Sequence, residues 1–169
     1  MKKVINVKNP RGSLNVKRLL ILGLLLITSI SFSISFAAES GKWESPESVE
    51  GTTTVSVEQA AELFNRGVPF LDVRNQRLFN RKHIPNAIHL DLKNGYSKEA
   101  LMGLIQPDQE LVIYCSGKKC SRSYRASTLA VHWGYTKIYY FRDGVIGWKT
   151  AGLPMTFADG TTRPATAKD

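Results

Sequence analysis

The sequence predicts an α/β domain with a mostly parallel central sheet and helices on both faces. Three observations carry that prediction. Short apolar runs of strand length alternate with helix-forming stretches across residues 52–157. The two clearest runs, 69–73 and 111–114, have the apolar, β-branched and aromatic character of buried parallel strands. Glycine and proline punctuate the junctions between the stretches.

The elements follow in order. Ser56-Val57-Glu58-Gln59 has the Ser-x-x-Gln form of a capping box, and Ala60, Ala61, Leu63 and Phe64 provide an apolar helix face before Gly67. Residues 69–73 then form a strand, and the polar stretch 75–82 is part-helical. An extended pattern resumes over 88–92, a second helix is expected over 97–105, and Pro107 with Asp108 breaks the chain. Residues 111–114 are the most strand-like segment, 121–133 the third long helix, and Gly134 its stop. A strand over 137–141 and a turn with a short helix around Trp148 complete the unit.

The ends have a different character. The first 38 residues hold Lys2, Lys3, Lys8, Arg11, Lys17 and Arg18 without one acidic residue, then an apolar run from residue 19, then Ser35-Phe36-Ala37-Ala38. This order is that of an export signal cleaved after Ala37 or Ala38; an uncleaved segment acting as a membrane anchor is the alternative. The expected location is therefore outside the cytoplasm: periplasmic, with secreted and signal-anchored forms as alternatives. Residues 39–51 and 158–169 are polar and are expected to be flexible, leaving 52–157 as the folded domain. The leader takes six of 23 basic and none of 14 acidic residues, so the remaining chain carries 17 against 14 and is only slightly basic. Such a balance, without a clustered basic face, argues against nucleic acid as a partner.

Cys115 directly follows the run 111–114 and precedes the helix expected near Ser121. It stands where open α/β sheets place their ligands, beyond the carboxyl end of a central strand. Ser116, Gly117, Lys118, Lys119 and Cys120 must curl between strand and helix, turning unpaired N–H groups inward around a sulfur. A helix N-terminus with nearby cations favours thiolate over thiol, and Lys118, Lys119 and Arg122 supply the charge. Cys115 is then a nucleophile and residues 116–122 its binding loop. The loop alone also admits a buried, inert Cys115 under a solvated turn. Two cysteines and scattered histidines do not have the paired spacing of metal ligands, so neither a metal nor another cofactor is expected.

Four motifs in this order carry a resemblance across nearly the whole folded unit: Leu71-Asp72-Val73-Arg74; His83-Ile84-Pro85-Asn86-Ala87-Ile88; Val112-Ile113-Tyr114-Cys115 ahead of a Gly-containing loop and helix; and Gly144-x-x-x-Trp148 with Gly152-x-Pro154. Together they resemble the rhodanese domain. The resemblance implies a sulfurtransferase: Cys115 takes the outer sulfur of thiosulfate, a polysulfide or a protein persulfide, holds it as a persulfide, and passes it to a thiol, cyanide or a protein acceptor. It also assigns supporting roles to Asp72 and Arg74, as an ion pair beside the site, and to His83, as a loop-packing residue. Lys118 and Lys119 are expected to steer an anionic donor, and Ser121 and Arg122 to close the rim, with the guanidinium binding an oxyanion.

The chain departs from the family in its loop, where six residues separate Cys115 from Arg122 instead of a shorter spacing. The wider cradle leaves other readings open. A phosphatase-like hydrolase is one, although the loop lacks an acidic residue to protonate a leaving group. A thiol–disulfide or sensor function through Cys115 and Cys120 is another, favoured by an oxidising compartment. A non-catalytic binding domain is the third.

Overall fold

The computed structural model describes residues 43–166. The expected export signal lies outside the described residues, as do the ends of the two segments flanking the domain. Among the described residues five strands form one parallel sheet: β1 (Thr52–Thr54), β2 (Phe70–Asp72), β4 (Ile88–His89), β5 (Leu111–Tyr114) and β6 (Ile138–Phe141), in the order β1-β6-β5-β2-β4. The predicted α/β class with a mostly parallel sheet is the fold observed. Helices α1 (Val57–Asn65), α2 (Gln76–Arg81), α3 (Lys98–Met102), α4 (Arg122–His132) and α5 (Gly144–Thr150) connect or flank the strands.

Strand periodicity divides the interior into two layers. Val112 and Tyr114 face one side with Leu63, Val145 and Trp148, while Leu111 and Ile113 face the other with Leu101, Ala126 and Ala130. Thus α1 and α5 cover one face, α3 and α4 the other, which is why β5 shows no exposed residue. Cys115, next in the alternation after Tyr114, falls on the α4 side. Trp148 anchors the first layer by donating its indole N–H to the Pro154 carbonyl at 2.7 Å, and its ring meets Phe64, Phe70 and Phe141.

Local chemistry explains most boundaries. Ser56 accepts from the Gln59 N–H while the Gln59 side chain accepts from the Ser56 N–H, closing the expected capping box of α1. The second helix is shorter than the expected 97–105, because Gly103 takes its C-cap. The extended run 88–92 pairs formally only at Ile88–His89, since Asp91 accepts from the Lys93 N–H and turns the chain away.

Described residues at both ends make contacts with the domain. Within 39–51, Ser45 and Val49 are buried, and Pro46 accepts from the Tyr140 hydroxyl. Within 158–169, β8 (Thr162–Pro164) pairs with β7 (Pro154–Phe157), which in turn pairs with β3 (Lys82–His83), forming a small antiparallel sheet. Polar composition concealed both, because their order comes from backbone pairing and from distant partners.

Candidate functional site

The site is built at the carboxyl end of β5. The Cys115 carbonyl accepts from the Val145 N–H, and the Ser116 carbonyl from the Ile146 N–H, each at 3.0 Å. These are free donors at the start of α5, so the helix end satisfied by the loop also holds the loop in place. The fit demands glycine at 144: φ is +51°, and a Cβ there would stand 2.3 Å from the Cys115 oxygen. Gly117 is a second required glycine, at φ +149° with the Asp143 oxygen 3.1 Å from where a Cβ would lie.

The other side of the loop is braced by the segment before β1. Ser45 donates both its N–H and its hydroxyl to the Lys118 carbonyl, at 2.7 and 2.9 Å. The Ser45 carbonyl in turn accepts from the Arg142 guanidinium at 2.8 and 3.0 Å. This brace carried no sequence signal, because its partners lie 73 and 97 residues away.

The two cysteines, not bonded to each other, occupy different environments. Cys115 is fully buried, with Sγ 3.1 Å from the Ser123 hydroxyl and 3.5 Å from the Cys120 carbonyl. Cys120 is half-buried, and its N–H donates to the Gly117 carbonyl at 2.8 Å, closing a turn that brings the thiols together. The two cysteines interact directly, and the backbone N–H groups of Ser116 and Arg122 lie near the Cys120 sulfur. The N–H of Gly117 points to Cys115. Backbone donors of the loop thus lie near both sulfurs.

Acidity follows the same division. Burial first, and then the hydrogen bond to Cys120 and its charge, push the Cys115 thiol well above the ordinary range. The hydrogen bond from Cys115, together with the Arg122 and Ser116 N–H groups, lowers Cys120 to about 6. The loop environment thus favours ionisation at Cys120 over Cys115. The low-pKa thiolate expected at Cys115 is opposed by desolvation from the strand end and helix α4.

A depression of about 400 Å³ opens above the loop, lined by Cys120 with Ser116, Gly117 and Ser121, by Lys93, Lys119, Arg122 and Arg125, and by Leu92 and Ile146. Cys115 is not on its surface. Lys118, expected to face the site, turns to Asp143 at 3.3 Å. Arg122 lines the depression, but its Nη1 donates to Asp91 at 2.6 Å, so part of its fork is already occupied. Arg125, a turn further along α4, has no ion pair among the described residues and is the open guanidinium of the rim. Sequence reasoning missed Arg125 although its spacing of three from Arg122 puts it on the same helix face. It also missed Asp91 and Ser123. Asp91 belongs to no local motif, and its pairing spans 31 residues.

Asp72 and Arg74 form a buried pair beneath the site. Arg74 Nε donates to both carboxylate oxygens at 2.9 Å, and Nη2 donates to Oδ2 at 2.6 Å and to the Lys82 carbonyl at 2.7 Å. His83 lies away from the depression, with Nδ1 2.9 Å from the Phe79 carbonyl and its ring stacked on Phe79 at 4.0 Å. His89 stacks on the same ring at 4.5 Å. Among the described residues no cluster of His, Cys, Asp and Glu has the convergence of a metal site, and no helix is long and apolar enough to cross a membrane.

Comparison with known proteins places this geometry among relatives. Residues 56–151 match the family described as Rhodanese-like domain. A protein named Sulfurtransferase from Allochromatium vinosum is 30% identical over 93 residues, covering 55% of this chain and 82% of the relative. The tRNA uridine(34) hydroxylase of Buchnera aphidicola is 31% identical over 104 residues, 56% of this chain, and this chain spans only 32% of that enzyme. Among solved structures, the BH2092 protein of Bacillus halodurans superposes with a TM-score of 0.57 at 17% identity, over 64% of this chain and 79% of that one. A thiosulfate sulfurtransferase from Pseudomonas aeruginosa gives 0.55 at 22% identity, over 69% of this chain and 22% of that one. At those identities the structural likeness is one of fold.

Proposed function

Because the chain belongs to the rhodanese-like domain family, whose members similar to it include named sulfurtransferases, we propose that it takes sulfane sulfur onto the loop that starts at Cys115, as a cysteine persulfide, and passes it to a thiophilic acceptor. The observation that carries the reading is the pair of free thiols in the loop at the end of β5, under a rim that carries Lys93, Lys119, Arg122 and Arg125. Sulfur transfer needs a thiolate that attacks sulfur, donors that hold the anion formed, and little else; Cys115 and Cys120 with residues 116–122 supply these. The donor class is a small sulfane anion such as thiosulfate or a polysulfide, attracted by Lys119 and Arg125. The acceptor is a thiol, cyanide or a protein thiol that approaches past Leu92 and Ile146. The Asp72–Arg74 pair and His83 support the loops and stay off the reacting atoms.

The direct test is transfer from thiosulfate to cyanide by the reduced protein, read as thiocyanate. Turnover is expected in the native chain and absent when both loop thiols are replaced, Cys115→Ser with Cys120→Ser. Undiminished turnover in that double variant would sink the assignment. We place the reaction outside the cytoplasm on the strength of the basic and apolar leader. Cell fractionation that leaves the protein in the cytoplasm would refute that placement.

A further inference from the structure

Two thiols share one cradle, and the one that faces the depression is the second of the pair. Cys120 lies on its surface between Lys119 and Arg122, while Cys115 lies fully buried behind it against Ser123. An anion entering from solvent meets the Cys120 sulfur first. The Cys115 sulfur lies buried behind it, 3.5 Å from the Cys120 carbonyl oxygen. Displacement at sulfur needs the attacking and leaving sulfurs on opposite sides of the sulfur attacked, and a buried Cys115 behind a solvent-facing Cys120 suits that requirement.

We propose that Cys120 opens the sulfane donor and that Cys115 then resolves the Cys120 persulfide, closing a Cys115–Cys120 disulfide with release of hydrosulfide. This rests on the sulfur-transfer reading and assigns an order within it. In the first step the Cys120 thiolate bonds to the outer sulfur of thiosulfate. The sulfur–sulfur bond of the donor breaks, sulfite leaves with its electron pair, and Cys120 carries a persulfide anion. In the second step Cys115 bonds to the Cys120 Sγ, the outer sulfur leaves into the depression with the bonding pair, and the Cys115 proton goes with it as hydrosulfide. Two thiols have lost two electrons, and the sulfane sulfur has gained them. A dithiol reductant restores the loop for the next cycle.

The surroundings suit each step. The contact with Cys115 and the nearby Ser116 and Arg122 N–H groups lower the Cys120 pKa to about 6, favouring its thiolate. Ser123, 3.1 Å from the Cys115 sulfur, can donate its hydroxyl proton to that sulfur as it loses its own. Lys119 and Arg125 at the rim stabilise the departing anions. An external thiophile competes with Cys115 for the same persulfide. The loop therefore transfers sulfur when an acceptor is abundant and releases sulfide when only a dithiol is present.

The test uses reduced full-length protein mixed anaerobically with thiosulfate, and in parallel with inorganic polysulfide, without cyanide or added thiol. Sulfite and sulfide are trapped with a bimane reagent, and the protein is weighed intact. The native protein is expected to release one sulfite and one sulfide per chain from thiosulfate and to lose about 2 Da as the disulfide closes. Cys115→Ser is expected to release sulfite without sulfide and to gain about 32 Da on Cys120. Cys120→Ser and Cys120→Ala should both slow the first sulfite burst about tenfold or more, so a local effect of the serine hydroxyl is excluded. The proposal is overturned if either Cys120 variant loads Cys115 at the native rate, or if the native protein keeps its sulfane sulfur without forming sulfide. If neither donor leaves sulfur on, or releases sulfide from, any of the proteins, the sulfur-transfer reading falls and this order with it.

Discussion

Gly144→Ala joins the fold to the site more directly than any other single change. An alanine at φ +51° costs about 1–2 kcal/mol from its left-handed backbone alone. The larger effect is steric: the new Cβ, placed 2.3 Å from the Cys115 oxygen, meets backbone that cannot rotate away. Relieving that overlap separates the loop from α5 and strains the hydrogen bonds from Val145 to Cys115 and from Ile146 to Ser116, both 3.0 Å. A buried polar group left unpaired costs about 1–3 kcal/mol, so the total loss should reach about 3–5 kcal/mol. Gly152→Ala is the matched control, since φ is +71° there and nothing lies within 4 Å of the added carbon. It should show the backbone cost alone. In urea denaturation, with a slope of about 1.5–2 kcal/mol per molar, the Gly144 variant should lose about 2 M in midpoint and the control under about 1 M. The displaced loop should also raise the pH at which Cys120 becomes reactive. Equal midpoints for the two variants would refute the view that close contact between α5 and the Cys115 carbonyl holds the loop.

Further outcomes follow from neighbouring features. Asp72→Asn keeps the side-chain volume but leaves Arg74 charged in the interior, so it should cost about 3–5 kcal/mol, with little change in turnover per folded molecule; a loss under about 1 kcal/mol in denaturant would show that the pair is not needed. Arg125→Gln combined with Lys119→Gln should raise KM for thiosulfate several-fold at low salt with kcat nearly kept, and added salt should narrow the gap between variant and native protein; an unchanged KM at low ionic strength would remove these residues from donor capture. Cys120 should alkylate with iodoacetamide at a rate that rises with pH through about 6, where its thiolate forms, and then levels off; a rise centred near the ordinary thiol value of about 8.5 would contradict the cradle.

The sequence by itself determined the α/β class, the helix started by Ser56, the buried strand 111–114 and the reactive loop beyond it, because each depends on local pattern: apolar period, caps and turn residues. It also brought Asp72 and Arg74 together, two residues apart, and marked 115–122 as the candidate site. Tertiary structure alone decided what each side chain does there. Cys115 is buried because α4 covers the side of the sheet to which strand alternation turns it, and Cys120 packs against the same cluster because the turn closed onto the Gly117 carbonyl brings the loop back. Arg122 is drawn to Asp91 and Lys118 to Asp143, leaving Arg125 open, through contacts between segments that no local pattern connects. The brace from Ser45 and the β7–β8 pairing lie in stretches whose composition reads as loose ends. Local propensity is a sum over neighbours in the chain, whereas burial, acidity and ion pairing depend on which distant surfaces meet, and those are decided only once the sheet has closed its layers.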